Sequence, residues 1–374
     1  MNPDFVNKMK CPSCNGDFIV KVFRSENDDI EEGTLSCNTC DRLAPIINGV
    51  PRILPPYLNR SLVARFPDYF KNHVVELPLA SPSDPFDKLN QAIFNAFNFN
   101  WVAPRSMVRS ISKTKPKRSG QDPLYRGDRG WFFDNVSPLD GDFFEGKIGL
   151  DAGCNVGRYS IVARENGAEM VGLEQTFAVE TARRKTRGLD GVHLVQGSLF
   201  EFPFKDDVFD FAICFGVLHH TPNPEKAFRL IASSIKPGGS FLTMLYGLDE
   251  MARWYRLSHM RTLRMLTTRI PLSATRKVCE GLAAIMKYGV LLPLSAFSAL
   301  PGIGAAAKRF PFVYLAKDPV ISISRNFFDR LAPPVSTFHT RGEIEGWYRD
   351  ANFSKVVVSR REANAWRAWG MRGS

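Results

Sequence analysis

The sequence predicts a doubly wound α/β fold, and three observations carry that prediction. Short apolar runs alternate with helix-patterned stretches from Lys147 onward, a glycine-containing turn follows the first run, and an acid closes the second. The runs at 148–152, 169–174, 193–196, 209–215 and 240–246 are expected as strands, and the stretches at 159–166, 178–185 and 225–234 as helices. Strand and helix in alternation imply parallel β-α-β units. The pattern resumes near the end with a helix over 340–351, whose Thr340 and Glu343 have capping-box spacing, and strands at 353–359 and 365–369.

Around this core the chain divides into further parts. Residues 1–56 hold two C-x-x-C pairs, and 57–130 are expected as a linker and a helical segment. Prolines between 55 and 85 break regular structure, helical spacing follows over 86–101, and basic, aliphatic-poor residues 113–129 form a loop. Residues 131–248 form the core. An Arg-rich helical insertion at 249–335 is expected as a lid, and 336–374 complete the core.

The chain carries a formal charge of +11, unevenly spread: −1 over 1–60, +5 over 61–130, −4 over 131–247 and +11 over 248–374. The excess lies outside the core, where it favours anionic partners without specifying chemistry. The opening MNPDFVNKMK has no apolar stretch of the secretory kind, so a cytoplasmic location is expected, with the lid as a possible place of peripheral membrane contact. Seven cysteines, four of them in C-x-x-C pairs, suit metal better than disulfides.

The segment Leu150-Asp151-Ala152-Gly153-Cys154-Asn155-Val156-Gly157 lies at a strand end and opens a helix, where backbone passes close to a ligand. Its G-x-x-x-G spacing differs from the dinucleotide fingerprint. The next strand ends in Glu174, placed as an acid for ribose hydroxyls. Leu150–Gly157 resembles motif I of class I S-adenosylmethionine-dependent methyltransferases, and Val171–Glu174 the acidic second motif. Gly197–Phe204 is similar to the adenine-side loop. Phe209–His220 resembles the fourth strand and turn of the ubiquinone/menaquinone-methyltransferase-like group, often called type 11, and Lys236-Pro-Gly-Gly239 the turn before its fifth strand.

The resemblance implies a seven-stranded Rossmann-like sheet and S-adenosyl-L-methionine as cofactor. Asp151 and Gly153 would line its methionine portion, Gly157 would start the adjoining helix, Glu174 would take the ribose, Ser198 and Leu199 would face the adenine, and Phe215 would close the pocket. Asn155 stands where the family usually has glycine, and Ser198 where it usually has aspartate.

Methyl transfer is an in-line displacement, so a base is needed only where the nucleophile is protonated. His219, His220 and His339 are candidate bases, since imidazole titrates near neutrality; the alternative for the histidine pair is that it holds the turn. Trp131-Phe132-Phe133, upstream of the core, fits packing or a cofactor cover, with Tyr125, Arg126 and Arg129 nearby. No Asn/Asp-Pro-Pro-Tyr/Phe sequence follows the fourth strand, which argues against adenine or glutamine amide nitrogen as acceptor.

Cys11 and Cys14 are separated by 22 residues from Cys37 and Cys40, and four thiolates close a structural zinc site. With Pro45–Leu54 after the second pair, the segment resembles the zinc ribbon of the tRNA-methyltransferase activator family. Cys154, Cys214 and Cys279 are expected as buried thiols. The leading expectation is an enzyme acting on a small-molecule, lipid or saccharide acceptor beneath the lid, whose uncharged run 290–307 would line an acceptor channel, meet a membrane or pack on the core. An RNA methyltransferase and a non-catalytic cofactor-binding adaptor are the alternatives.

Overall fold

The computed structural model describes residues 1–102, 127–248, 261–297, 313–361 and 365–373. The expected basic loop falls largely outside them, as do Tyr125, Arg126 and much of the run 290–307. Within them lies one eleven-stranded sheet. Four antiparallel strands come from the first segment: β1 (Phe18–Glu26), β2 (Asp29–Cys37), β3 (Leu43–Ile47) and β4 (Val50–Ile53). Seven come from the core: β5 (Ile148–Ala152), β6 (Glu169–Glu174), β7 (Val192–Gly197), β8 (Phe209–Phe215), β9 (Ile235–Tyr246), β10 (Phe353–Arg361) and β11 (Ala365–Arg372).

The core order is β7-β6-β5-β8-β9-β11-β10, parallel except for β11, which runs antiparallel to both neighbours. The order reverses between β5 and β8, and ligands of open α/β sheets bind outside the carboxyl ends of the strands at such a point. The helices form where caps permit. Asn223 accepts from Lys226 N at 3.0 Å ahead of Pro224–Ser233, and the Thr340–Glu343 capping box forms ahead of Arg341–Asp350. Their apolar faces meet a core rich in phenylalanine, including Phe209, Phe211, Phe228 and Phe241, all fully buried.

Three features depart from the sequence reading. The seven-stranded core forms as expected but is extended to eleven strands, because β4 pairs in parallel with β7 (Arg52↔Gln196, Ile53↔Gly197) and brings the ribbon strands with it. Local periodicity carries no information about which edges meet. The proline-rich stretch holds two short helices, Asn59–Arg65 and Pro67–His73, because Pro67 occupies a first-turn position where its missing N–H costs no hydrogen bond. Residues 127–129, expected in the loop, belong to the helix Gly127–Val136.

The ribbon–core junction is polar at its centre. Arg52 is 1% exposed, and its guanidinium donates to Gln196 Oε1 (2.9 Å), Ile47 O (2.9 Å) and Glu180 Oε1 (2.5 Å) while lying over the Phe66 ring. A buried cation is tolerated only when its charge and protons are matched, and here most of them are. Arg52→Met should therefore destabilise the chain by about 3–5 kcal/mol in denaturant unfolding, because it strands the Glu180 carboxylate without its counter-charge. A change within experimental error would show that the junction does not depend on this cation.

Candidate active site and metal centre

The glycine-containing turn departs from the end of β5 and is tied to β6. Gly153 N and Cys154 N both donate to Leu173 O (2.8 and 3.1 Å), and Asn155 N donates to Glu174 Oε2 at 2.9 Å. Gly153, Asn155 and Gly157 all have positive φ, at 86°, 51° and 75°. A Cβ on Gly153 would sit 2.4 Å from Val217 Cγ2, so any side chain there would collide with the turn after β8. Asn155 takes the left-handed conformation that asparagine tolerates better than most residues, which explains how it stands where a glycine was expected.

Glu174 closes β6 with its carboxylate buried. Oε1 accepts from Thr176 N and Thr176 Oγ1 (2.7 and 2.6 Å), while Oε2 takes the loop amide. Burial raises its pKa, against the pull of these donors. Asp151, also buried, accepts from Ser160 Oγ at 2.6 Å and is raised to about 7, chiefly by burial, with the Glu174 charge adding to it. Asn155 Oδ1 and Gln175 Nε2 are buried without a hydrogen-bond partner, on either side of Glu174 in sequence. Such orphaned groups fit a polar ligand that completes them.

Ser198 follows β7, fully buried, with its Oγ accepting from Phe200 N at 3.1 Å, so the hydroxyl holds its own turn. Leu199 beside it is half-buried. Phe215 ends β8 and meets Tyr159 edge-on at 5.5 Å, with Tyr159 in the first turn of the helix Arg158–Glu165.

Helix Pro85–Trp101 crosses the carboxyl edge of the sheet. Phe86 packs edge-on against Phe200, Phe94 against Phe177 and Phe97 against His220, and Asn98 Oδ1 accepts from Phe177 N at 3.1 Å. At its end, Asn100 Nδ2 and Trp101 Nε1 donate to Asp329 Oδ1 (2.7 and 3.2 Å) on the insertion helix Val320–Leu331, and the Trp101 ring lies 6.0 Å from the Arg158 guanidinium. Burial raises Asp329 to about 6 against those two donors. These residues were invisible to motif reading. The available signal was that Asp329 is one of few acids in an Arg-rich insertion.

The three histidines do not share one role. His219 stacks on Tyr246 at 3.7 Å, its Nδ1 accepts from Tyr246 N at 3.3 Å, and Nε2 is buried without a partner. His220 donates through Nδ1 to Val335 O at 3.0 Å. His339 Nε2 lies 2.8 Å from Thr337 Oγ1, and its ring packs edge-on against Trp347. Burial lowers all three, His220 to about 4 and His219 well below its ordinary value, with the His220 and His339 charges adding to the His219 effect. Phe132 is fully buried against Phe144, so the upstream aromatic cluster contributes packing there, and Arg129 lies beside Glu165 and Asn166.

The four ribbon sulfurs lie within 4.8 Å of one another, with Cys14–Cys37 at 3.3 Å and Cys11–Cys40 at 3.7 Å. Tetrahedral zinc with bonds of about 2.3 Å to sulfur needs separations of this size. Gly16 N and Thr39 N donate to Cys14 Sγ and Cys37 Sγ, both at 3.4 Å. Against burial, backbone donors bring Cys37 down to about 6. The donor set fits a closed, structural Zn²⁺ site. Two surface cavities, one beside Lys147, Arg164 and Lys236 and one beside Arg183 and His193, open at the amino ends of the strands, away from the glycine turn.

A family model described as a methyltransferase domain matches residues 150–243, which contain the turn, Glu174, Ser198 and Phe215. Residues 150–243 are thus similar to a methyltransferase domain. The tRNA U34 carboxymethyltransferase of Syntrophotalea carbinolica is 25% identical over 222 residues, covering 56% of this chain and 59% of that protein. The ubiquinone biosynthesis O-methyltransferase of Idiomarina loihiensis is 29% identical over 153 residues, covering 40% and 56%. The chain thus spans less than two thirds of the length of these relatives. Among solved structures, 1,6-didemethyltoxoflavin-N1-methyltransferase of Burkholderia thailandensis aligns with a TM-score of 0.42 at 13% identity, over 80% of this chain and 94% of that one.

Two outcomes test the geometry. For Asp151 the sign follows from a native pKa above the unfolded one: its contribution to stability is present at low pH and is lost as pH rises toward about 7. Asp151→Asn should flatten the fall in Tm of the ligand-free chain between about pH 4 and 7; an unchanged pH profile would show that this carboxyl is not the titrating group. Cys37→Ser should lower bound zinc, measured by elemental analysis, and lower Tm together, whereas full zinc occupancy in that variant would exclude the four-sulfur site.

Proposed function

We propose that the chain transfers a methyl group from S-adenosyl-L-methionine to a small, partly apolar acceptor held between helix Pro85–Trp101, the insertion helix Val320–Leu331 and the carboxyl ends of β5, β6, β8 and β9. The observation that carries this reading is the positive-φ turn locked onto Glu174 at the reversal point of the sheet. When bound, the cofactor supplies an electrophilic methyl group on a sulfonium. Glu174 and Asn155 are assigned to the ribose, Asp151 and Gly153 to the amino-acid portion, Gly157 to the start of the adjoining helix, Ser198 and Leu199 to the adenine side and Phe215 to the wall near the sulfonium.

The chain's own contribution is alignment, exclusion of water and proton removal where needed. The aromatic edges of Phe97, Tyr159, Phe215 and Tyr246 suit an acceptor with apolar surface. Asp329 is the favoured base: burial raises it to about 6, and two donors at the end of the covering helix orient it. His219 and His339 are assigned to the framework by the contacts that hold their rings, and the strongly lowered His220 is a weaker base than Asp329. A tRNA acceptor is the second reading, favoured by the similarity to the tRNA U34 carboxymethyltransferase and by the positive charge of 248–374.

The test is calorimetric titration with S-adenosylhomocysteine, followed by methyl-labelling of small-molecule, lipid and RNA extracts with radioactive cofactor. Binding is expected for the parent chain and a loss of at least about a hundredfold for Glu174→Ala, which removes charge-assisted bonds to the loop. Asp329→Asn should keep cofactor affinity, lower kcat and erase a rise in rate through about pH 6. Label confined to RNA would replace the leading acceptor with the second reading. Tight cofactor binding with no label in any extract would favour a non-catalytic role.

A further inference from the structure

The insertion presents an apolar face to solvent. Of the sixteen large hydrophobic residues exposed among the described residues, nine lie between Leu263 and Leu292. Val278, Leu282, Ile285 and Leu292 recur at helical spacing, Leu266 and Ile270 precede them, and Ile285 is 69% exposed. A patch this concentrated on a soluble surface marks an interaction site.

The same segment is one-sided. Cys279, Ala283 and Leu291 are buried, with Cys279 against Phe328 and Leu331 and Ala283 against Ile323, all on helix Val320–Leu331. Arg276 Nη2 donates to Phe99 O at 2.7 Å and Lys287 Nζ to Asp318 O at 2.6 Å, both inward ties. Leu272–Ala296 is long and apolar enough to cross a membrane, but a span would expose its packed, polar-tied side to hydrocarbon. An amphipathic helix of this kind lies in the plane of an interface.

Charge selects the occupant. Residues 261–297 contain six basic residues and one acid, Glu280, and Arg269 and Lys277 are exposed at the edge of the apolar face. We propose that this face docks peripherally on an anionic lipid bilayer, with Val278, Leu282, Ile285 and Leu292 entering the acyl boundary and Arg269 and Lys277 at the phosphates. Apolar burial and attraction to anionic headgroups together set the strength of such contacts, and the basic part weakens with salt. The proposal does not depend on methyl transfer.

The experiment is co-sedimentation of the full chain with sucrose-loaded vesicles of phosphatidylcholine alone or with about 30% phosphatidylglycerol, at low and high salt, alongside sedimentation velocity without lipid. Expected is binding at least about fivefold greater to the anionic vesicles at low salt, reduced by salt and by the surface variant Lys277→Glu, and abolished by Ile285→Glu. Unchanged Tm and S-adenosylhomocysteine affinity in both variants would show that the fold is kept. Absence of binding to either vesicle at low salt overturns the proposal, and so does binding that neither variant alters. Self-association that Ile285→Glu abolishes, with no vesicle binding, assigns the face to a second copy of the chain and overturns it equally.

Discussion

The parallel pairing of β4 with β7, with Arg52 buried at its centre, is the constraint on which the rest of the architecture turns. Without it the first segment would be a small ribbon beside a core. With it, four further strands extend the sheet beyond β7. The consequence is local as well as global. Gln196 accepts from Arg52 and donates through Nε2 to Gln175 O at 3.1 Å, one residue beyond Glu174. The segment after β7 is held the same way: Lys10 N donates to Pro203 O, Arg42 pairs with Glu201 and Lys205 with Asp17. The four-cysteine ribbon therefore bears directly on the backbone on both sides of the turn after β7.

The opposite wall is supplied by helix Pro85–Trp101, which is neither ribbon nor core. Its contacts run along the strand ends in order, from Phe200 after β7 to Phe177 after β6, and its last residues reach Asp329 on the insertion. One helix thus covers the carboxyl edge of the sheet and ties the insertion to it. The insertion is anchored at a second point, where Arg276 reaches Phe99 O, so helix and insertion are coupled as a single cover.

These relations mark the boundary of what the sequence made legible. The strands, the glycine turn and Glu174 could be read because each is imposed by local physics: alternating burial, a positive φ and an acid at a strand end. The convergence of the four cysteines could be read for the same reason, since a set written as two short pairs needs no knowledge of the fold. Arg52 meets Glu180 across 128 residues and Asn100 meets Asp329 across 229, and no periodicity encodes such pairs. The stretch after Pro55 is helical despite its prolines because proline breaks a helix interior but is welcome in its first turn, and position decides which effect wins. The histidines show the converse. Imidazole chemistry suggested bases, yet burial lowers their affinity for protons, and a carboxyl in the insertion is moved toward neutrality instead.

That last contrast follows from one electrostatic fact about the strand ends. Burial disfavours charge of either sign, so in this region carboxyls rise and imidazoles fall. Burial raises both Asp151 and Glu174, and the Glu174 charge adds to the rise of Asp151, so these strand ends are poorest in stability when both are ionised. A ligand carrying positive charge reverses that penalty, since it favours the ionised carboxylates that burial opposes. S-adenosylmethionine carries such charge at both its ammonium and its sulfonium, and its demethylated product at the ammonium alone. On the proposed reading, two buried acids thus become a reason to prefer the charged donor over its demethylated product.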